Sequence, residues 1–143
     1  MTGKLFEKIL ITTDGSEKNN SAVEEGLSIA RACGSQLYAI YVIDANLSGR
    51  APTDMPIGDT YQMVENEAAS ALGRIQSKAG DLKIEIAVVE GKPAEEIIRF
   101  ADLHKIDLIV IGTRGKRGLE RLLLGSVAES VVRSAGCNVL VVK

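Results

Sequence analysis

Aromatic residues are scarce in this chain of 143 residues, which contains no tryptophan and only 3% aromatic side chains. Hydrophobic residues still make up 45% of the sequence, so the core must be built from valine, isoleucine, leucine and alanine. A chain of this length buries roughly two-thirds of the surface that it exposes when unfolded, which is enough for a core without covalent cross-links. We therefore expect one domain, residues 1–143, with a valine- and isoleucine-rich sheet covered by helices.

Cysteine and histidine are equally limited. Cys33 and Cys137 are the only cysteines and have no metal-binding spacing, so we interpret both as buried small residues in a reducing compartment. His104 is the only histidine, and the order of predicted elements places it near the amino ends of the strands, away from the candidate site. This distribution argues against a metal centre and against a catalytic triad.

Long apolar runs and a strong net charge are also missing. No run approaches the roughly 18 apolar residues of a membrane span, and Met1 to Lys8 lacks the apolar part of a signal peptide. The formal net charge of −2 creates no field that would attract nucleic acid or an anionic membrane. The sequence therefore predicts a soluble, cytoplasmic protein without nucleic-acid or membrane partners.

Hydrophobic periodicity predicts alternating strands and helices. Right-handed crossovers between such elements produce a doubly wound α/β fold, with a parallel sheet and helices on both faces. We expect Ser16 to cap the first helix, and Ser126 with Glu129 to form a capping box on the last. The predicted strands are Lys8–Thr13, Gln36–Ile43, Leu82–Val89 (half exposed, at a sheet edge), Asp107–Ile111 and Asn138–Val142; the predicted helices are Glu17–Cys33, Thr60–Ala79, Ala94–His104 and Ser126–Ala135.

A glycine segment follows the fourth predicted strand. It reads Gly112-Thr113-Arg114-Gly115, nine further residues, and then Gly125-Ser126. It is neither a GxGxxG fingerprint after the first strand nor a GxxxxGK[ST] loop. Spacing alone leaves an ordinary turn as probable as a ligand site, but Ser126 opens a helix whose amino end favours phosphate oxygens. Arg114 and Lys116 add positive charge beside the glycines, so we predict a nucleotide site.

Two residues at other strand ends are further candidates. Asp14, after the first strand, is suited to accept a hydrogen bond from a ribose hydroxyl or an adenine amine, and equally suited to cap the first helix. Val42 offers its backbone N–H and carbonyl to a base edge, a role that needs no particular side chain. No general base is evident beside a bound γ-phosphate, so the sequence favours a binding protein over an enzyme and leaves slow hydrolysis open.

Four segments together resemble the universal stress protein family over essentially the whole chain. They are Lys8 to Ser16, Tyr41 to Asp44, Gly91-Lys92-Pro93 and the glycine segment, which is similar to the ATP-binding motif of that family's nucleotide-binding subclass. The resemblance implies strand order 3-2-1-4-5 and a homodimer joined through the last strands. The apolar edge Val139 to Val142 independently fits a partner strand.

The resemblance also implies a function and a set of site residues. The expected function is that of a nucleotide-responsive stress or signalling module that binds ATP, with or without Mg²⁺, and acts on an unidentified protein partner. A slow ATPase, an adenylate-handling enzyme and a nucleotide-free interaction module are the alternatives. The candidate nucleotide-binding residues are Thr12, Thr13, Asp14, Val42, Gly112, Arg114, Gly115, Lys116, Gly125, Ser126 and Val127.

Overall fold

Five strands and four helices alternate along the chain in a computed structural model that describes residues 5–45, 57–113 and 124–143. A short 3-10 turn, Glu17–Asn19, precedes the first helix. The strands are β1 (Lys8–Thr13), β2 (Gln36–Asp44), β3 (Ile84–Gly91), β4 (Leu108–Gly112) and β5 (Asn138–Val142). The helices are α1 (Asn20–Cys33), α2 (Ile57–Ala79), α3 (Pro93–Leu103) and α4 (Ser126–Ser134).

The strands form one parallel sheet in the order β3-β2-β1-β4-β5. This confirms the predicted α/β class and the strand order that the family resemblance implied. The first two crossovers run from β1 toward β3, and the last runs from β4 toward β5, so the winding direction reverses between β1 and β4. That reversal leaves the carboxyl ends of β1 and β4 without a connection above them.

Each face of the sheet has its own hydrophobic core. One cluster joins α1 and α2 to residues such as Ile11 and Val110, and the other joins α3 and α4 to residues such as Leu10 and Ile109. All four of these strand residues have no exposed surface. Alternate residues of the two central strands thus point to opposite cores, which explains why the β1 and β4 sequences are continuously apolar.

The third strand lies at the sheet edge and is half exposed, as predicted. Ile86 and Val88 keep 41% and 46% of their surface. Its bounds differ from the predicted Leu82–Val89, because the Leu82 N–H donates to the Ala79 carbonyl at 3.1 Å and so belongs to the turn after α2. At its other end the strand continues to Gly91, which pairs with the last residue of β2.

The two cysteines contradict the prediction that they are buried. Both thiols are free, and both residues are partly exposed. Cys33 is the last residue of α1, and Cys137 precedes the edge strand β5, where it packs against the core on the α3–α4 face and keeps part of its surface exposed. Partial burial of its sulfur, together with Asp102 and Asp107, raises the pKa of the Cys137 thiol and lowers its thiolate fraction near neutral pH.

His104 lies at the amino edge of the sheet, as expected. It is the C-cap residue that follows α3, and its ring centre is 4.0 Å from that of Phe100 and 5.3 Å from that of Tyr38. Its carbonyl accepts a 3.2 Å hydrogen bond from Lys8 Nζ at the start of β1. The histidine therefore contributes to packing at the edge opposite the candidate site. Within the described segments, no helix is both long enough and apolar enough to cross a bilayer.

Candidate functional site

A crevice opens at the carboxyl edge of the sheet between β1 and β4. Pairing of β1 with β2 continues to Thr13 and Tyr41, whereas pairing of β1 with β4 ends at Ile11 and Val110. The two strands therefore part before either one ends, at the point where the winding reverses. In open α/β sheets, ligands bind in the crevice at such a point.

The first wall of this crevice is a tight turn at the end of β1. Asp14 Oδ1 accepts hydrogen bonds from the Ser16 N–H at 2.9 Å and from the Ser16 hydroxyl at 2.6 Å, and Gly15 has φ +80°. The predicted helix cap by Ser16 is thus wrong, because its hydroxyl donates to Asp14. Asp14 stabilises its own turn through Oδ1, while Oδ2 accepts no hydrogen bond from the described residues.

Thr12 and Thr13 support this turn from below. Thr12 is 7% exposed, and its carbonyl accepts a 3.2 Å hydrogen bond from the side-chain amide of Asn19. The Thr13 hydroxyl accepts the Gly15 N–H at 3.1 Å, so it orders the turn. Sequence reasoning missed Asn19, because its side chain makes no helix-cap hydrogen bond and its contact with Thr12 depends on the folded sheet.

Val42 lies next to the turn, near the end of β2. Backbone groups along a strand face its two neighbours alternately, and the Gln36 N–H donates to the Glu7 carbonyl on the β1 side. Even-numbered residues of β2 therefore face β1, and the pairing with β1 ends at Tyr41. The Val42 carbonyl consequently faces the space beyond the end of β1, where it is a second hydrogen-bond acceptor beside Asp14.

The second wall is formed by the two ends of the glycine segment. Gly112 is the last residue of β4, and the following Thr113 N–H donates to the Val142 carbonyl at 3.0 Å. The Thr113 carbonyl then accepts the Gly125 N–H at 2.8 Å, which holds the two ends of the segment together. A Cβ on Gly125 would lie 3.2 Å from that carbonyl oxygen, so glycine suits this close approach.

Helix α4 begins at this second wall. Gly125 occupies the N-cap position, and Ser126 and Val127 are the first helical residues. The predicted capping box is wrong, because the N-cap residue is Gly125 instead of Ser126, and the Glu129 carboxylate pairs with Arg133 at 2.6 Å. The first N–H groups of a helix have no partner within it, and no N-cap side chain of the described residues accepts a hydrogen bond from them, so they are suited to an anion.

A groove of about 830 Å³ runs between α3 and α4, from the carboxyl edge of the sheet to Leu103 and Ser134 at the other ends of the helices. Ser126 and Val127 line it together with Asp44 at the end of β2 and Lys92 at the start of α3. The groove is open to solvent, and Asp14, Val42 and Gly112 do not line it. It therefore borders the second wall from outside and is distinct from the crevice between β1 and β4.

The fold thus brings seven of the predicted residues to the carboxyl edge in two groups, one formed by Thr13, Asp14 and Val42, the other by Gly112, Gly125, Ser126 and Val127. Thr12 lies directly below the first group. Arg114, Gly115 and Lys116 lie outside the described residues.

Across residues 5–45, 57–113 and 124–143, no three His, Cys, Asp or Glu side chains are grouped as metal ligands. The described site can therefore accept hydrogen bonds at one wall and donate them at the other.

Comparisons with known proteins agree with this architecture. A sequence model of the universal stress protein family matches residues 5–143. Universal stress protein MJ0531 of Methanocaldococcus jannaschii is 43% identical over 141 residues, which span 97% of this chain and 83% of that protein. The solved structure of MJ0577, a universal stress protein of the same organism, has a TM-score of 0.84 and 29% identity, and the match covers 97% of this chain and 96% of that one.

A further solved structure carries information about a ligand. It is the crystal structure of a universal stress protein in complex with cAMP, with 29% identity, a TM-score of 0.69 and coverage of 96% of both chains.

Proposed function

The chain belongs to the universal stress protein family, and from the geometry of its carboxyl edge we propose that it binds an adenine nucleotide there, with ATP as the ligand. Nucleotide binding would make it a stress or signalling module whose state follows the nucleotide and is read by a protein partner. We assign this activity to the cytoplasm, where adenine nucleotides are available.

The observation that carries this proposal is the opposite polarity of the two walls of the crevice. The first wall presents two hydrogen-bond acceptors, Asp14 Oδ2 and the Val42 carbonyl, and we call it the acceptor wall. These acceptors suit the amine of adenine and the hydroxyls of ribose. Ser126 and Val127 open a helix whose first N–H groups have no partner within the helix and whose positive dipole end suits phosphate. A nucleotide carries donors at one end and an anion at the other, so it matches both walls at once.

A relative supplies further support for the proposal. A family member with 29% identity was crystallised with cAMP, which is itself an adenine nucleotide. A magnesium ion accompanying ATP would be held mainly by phosphate oxygens and water, since Mg²⁺ commonly uses only one or two protein carboxylates.

Analysis of the purified protein tests the proposal. We expect mass spectrometry of the denatured protein to detect a released adenine nucleotide, or calorimetry with ATP to detect binding. ITP is the matched control ligand, because it keeps the ribose and the triphosphate and replaces the adenine amine with an oxygen. Tighter binding of ATP than of ITP would support the acceptor wall, whereas absence of any nucleotide by both methods would refute the proposal.

We also propose that the protein forms a homodimer through β5, which is the sheet edge opposite β3. Its apolar residues Val139 to Val142 are only partly buried. The Thr113 N–H donates to the Val142 carbonyl, so Val142 and Leu140 face β4 and the backbone of Val141 faces outward. Unpaired outward backbone groups on an apolar edge are a template for a second strand.

A proline substitution separates this dimer contact from the fold. We expect Val141→Pro to remove an outward N–H without breaking a hydrogen bond to β4, so it should raise the dimer dissociation constant about tenfold or more while the monomer stays folded. Leu140→Pro is the control, because it breaks the β4 ladder and should lower Tm. Analytical ultracentrifugation measures the first effect. A Val141→Pro protein that remains dimeric at wild-type strength would place the interface elsewhere.

A further inference from the structure

Asn19 is a buried polar residue at the base of the crevice. It is 5% exposed and lies in the 3-10 turn between β1 and α1. Its side-chain amide donates to the Thr12 carbonyl at 3.2 Å, and its backbone N–H donates to the Ser16 carbonyl at 3.1 Å. One residue therefore binds the chain on both sides of Asp14.

The Thr12 carbonyl that Asn19 contacts faces β4. The Asp107 N–H, just before β4, donates to the Lys8 carbonyl, and because backbone groups alternate along a strand, the carbonyls of Leu10 and Thr12 face the same way. The pairing of β1 with β4 ends at Ile11, so the Thr12 carbonyl lies where the ladder would otherwise continue. The side-chain amide of Asn19 donates to this carbonyl in place of a β4 backbone N–H.

The 3-10 turn that carries Asn19 lies against β4 as well as beside β1. The turn therefore contacts both strands near the point where they part. A buried carbonyl without a hydrogen bond is costly, so β1 and β4 could separate here only if another donor satisfied Thr12. The Asn19 side chain supplies that donor.

We propose that Asn19 is a positioning residue for the nucleotide: it substitutes for a β4 backbone amide, holds β1 apart from β4, and fixes the Asp14 turn from both sides. This inference rests on the proposed nucleotide function and adds to it a residue that does not itself touch the ligand. Its loss should loosen the turn that carries the acceptor wall, and so weaken binding beyond any general loss of stability.

Ser35 is a matched control for the stability effect. It is 4% exposed, and its hydroxyl donates to the Phe6 carbonyl at 2.6 Å, just before β1. It therefore makes the same kind of contact as Asn19, a buried side-chain donor on a backbone carbonyl, but at the amino edge of the sheet. Ser35→Ala should lower Tm without altering the crevice.

The experiment compares Asn19→Ala, Ser35→Ala and wild type by calorimetry with ATP, thermal unfolding and amide hydrogen exchange. We expect both variants to lower Tm by several degrees. Only Asn19→Ala should weaken ATP binding, by about tenfold, and speed amide exchange at Gly15 and Ser16. Should Asn19→Ala fail to fold, Asn19→Ser keeps a shorter donor, and we expect its affinity to be lower than that of wild type by a smaller factor.

Three outcomes oppose the inference in different ways. Wild-type affinity in folded Asn19→Ala would overturn it while leaving the nucleotide proposal intact. Equal losses of ATP affinity in Asn19→Ala and Ser35→Ala would show that Asn19 affects binding only through the general stability of the fold. Wild-type protein that binds no nucleotide would overturn the proposed function and this inference with it, and would be recognised before any variant is measured.

Discussion

Gly26→Ala is expected to lower the free energy of unfolding by about 2 kcal/mol, although alanine is the better helix former. Gly26 lies in the middle of α1, where this helix crosses the centre of the sheet. A Cβ there would come within 2.7 Å of Ile11 Cγ1 and 2.8 Å of Ile11 Cδ1. Ile11 is completely buried, so its side chain cannot move into solvent and must displace core neighbours to make room.

Gly73→Ala is the matched control. Gly73 also lies inside a helix, α2, but a Cβ at that position has no atom within 4 Å. The same substitution should therefore raise the free energy of unfolding there by about 1 kcal/mol through helix propensity alone. Urea unfolding of both variants measures the contrast. A Gly26→Ala protein as stable as Gly73→Ala would show that α1 shifts away from β1 without cost.

Gly26 illustrates what the sequence could not predict. A glycine inside a helical pattern lowers helix propensity, and nothing in the pattern indicates whether a strand packs against it. The strands themselves were predictable, because a buried parallel strand is a short run of β-branched residues ended by a turn signal, as Lys8 to Thr13 is before Asp14-Gly15. Regular alternation of strands and helices then determined the fold class.

Helix ends were less predictable, because each one depends on a choice between competing partners. Ser16 and Glu129 both have the residue type and spacing for a cap, yet one donates to Asp14 and the other pairs with Arg133. These alternatives differ by roughly 1 kcal/mol, which residue spacing alone does not resolve. The cysteines were misjudged for a related reason, since exposure at a helix end or a sheet edge follows from tertiary position.

The candidate site was predictable wherever it depends on backbone position. Residues that follow parallel strands must meet at one edge, so Asp14, Val42 and Gly112 could be grouped from the order of elements. Asn19 could not be included, because its role depends on the strands parting after Ile11 and Val110, which is a property of the folded sheet.

Asp14→Asn is expected to weaken ATP binding about tenfold or more while leaving Tm unchanged within a degree or two. An asparagine keeps an oxygen in the place of Oδ1, so it still accepts the hydrogen bonds from the Ser16 N–H and hydroxyl. It replaces Oδ2 with an N–H₂ group, which cannot accept a hydrogen bond from an adenine amine or a ribose hydroxyl. The substitution thus removes the proposed ligand contact and preserves the turn.

Asp14→Ala completes the comparison, because it removes the ligand acceptor and the turn together. If the turn matters for binding, as the contacts of Asn19 with Thr12 and Ser16 suggest, Asp14→Ala should bind ATP more weakly than Asp14→Asn and should also unfold at a lower temperature. Calorimetry with ATP and thermal unfolding of the two variants separate these contributions. Wild-type affinity in Asp14→Asn would show that Asp14 serves only its own turn, and the acceptor wall would then reduce to the Val42 carbonyl.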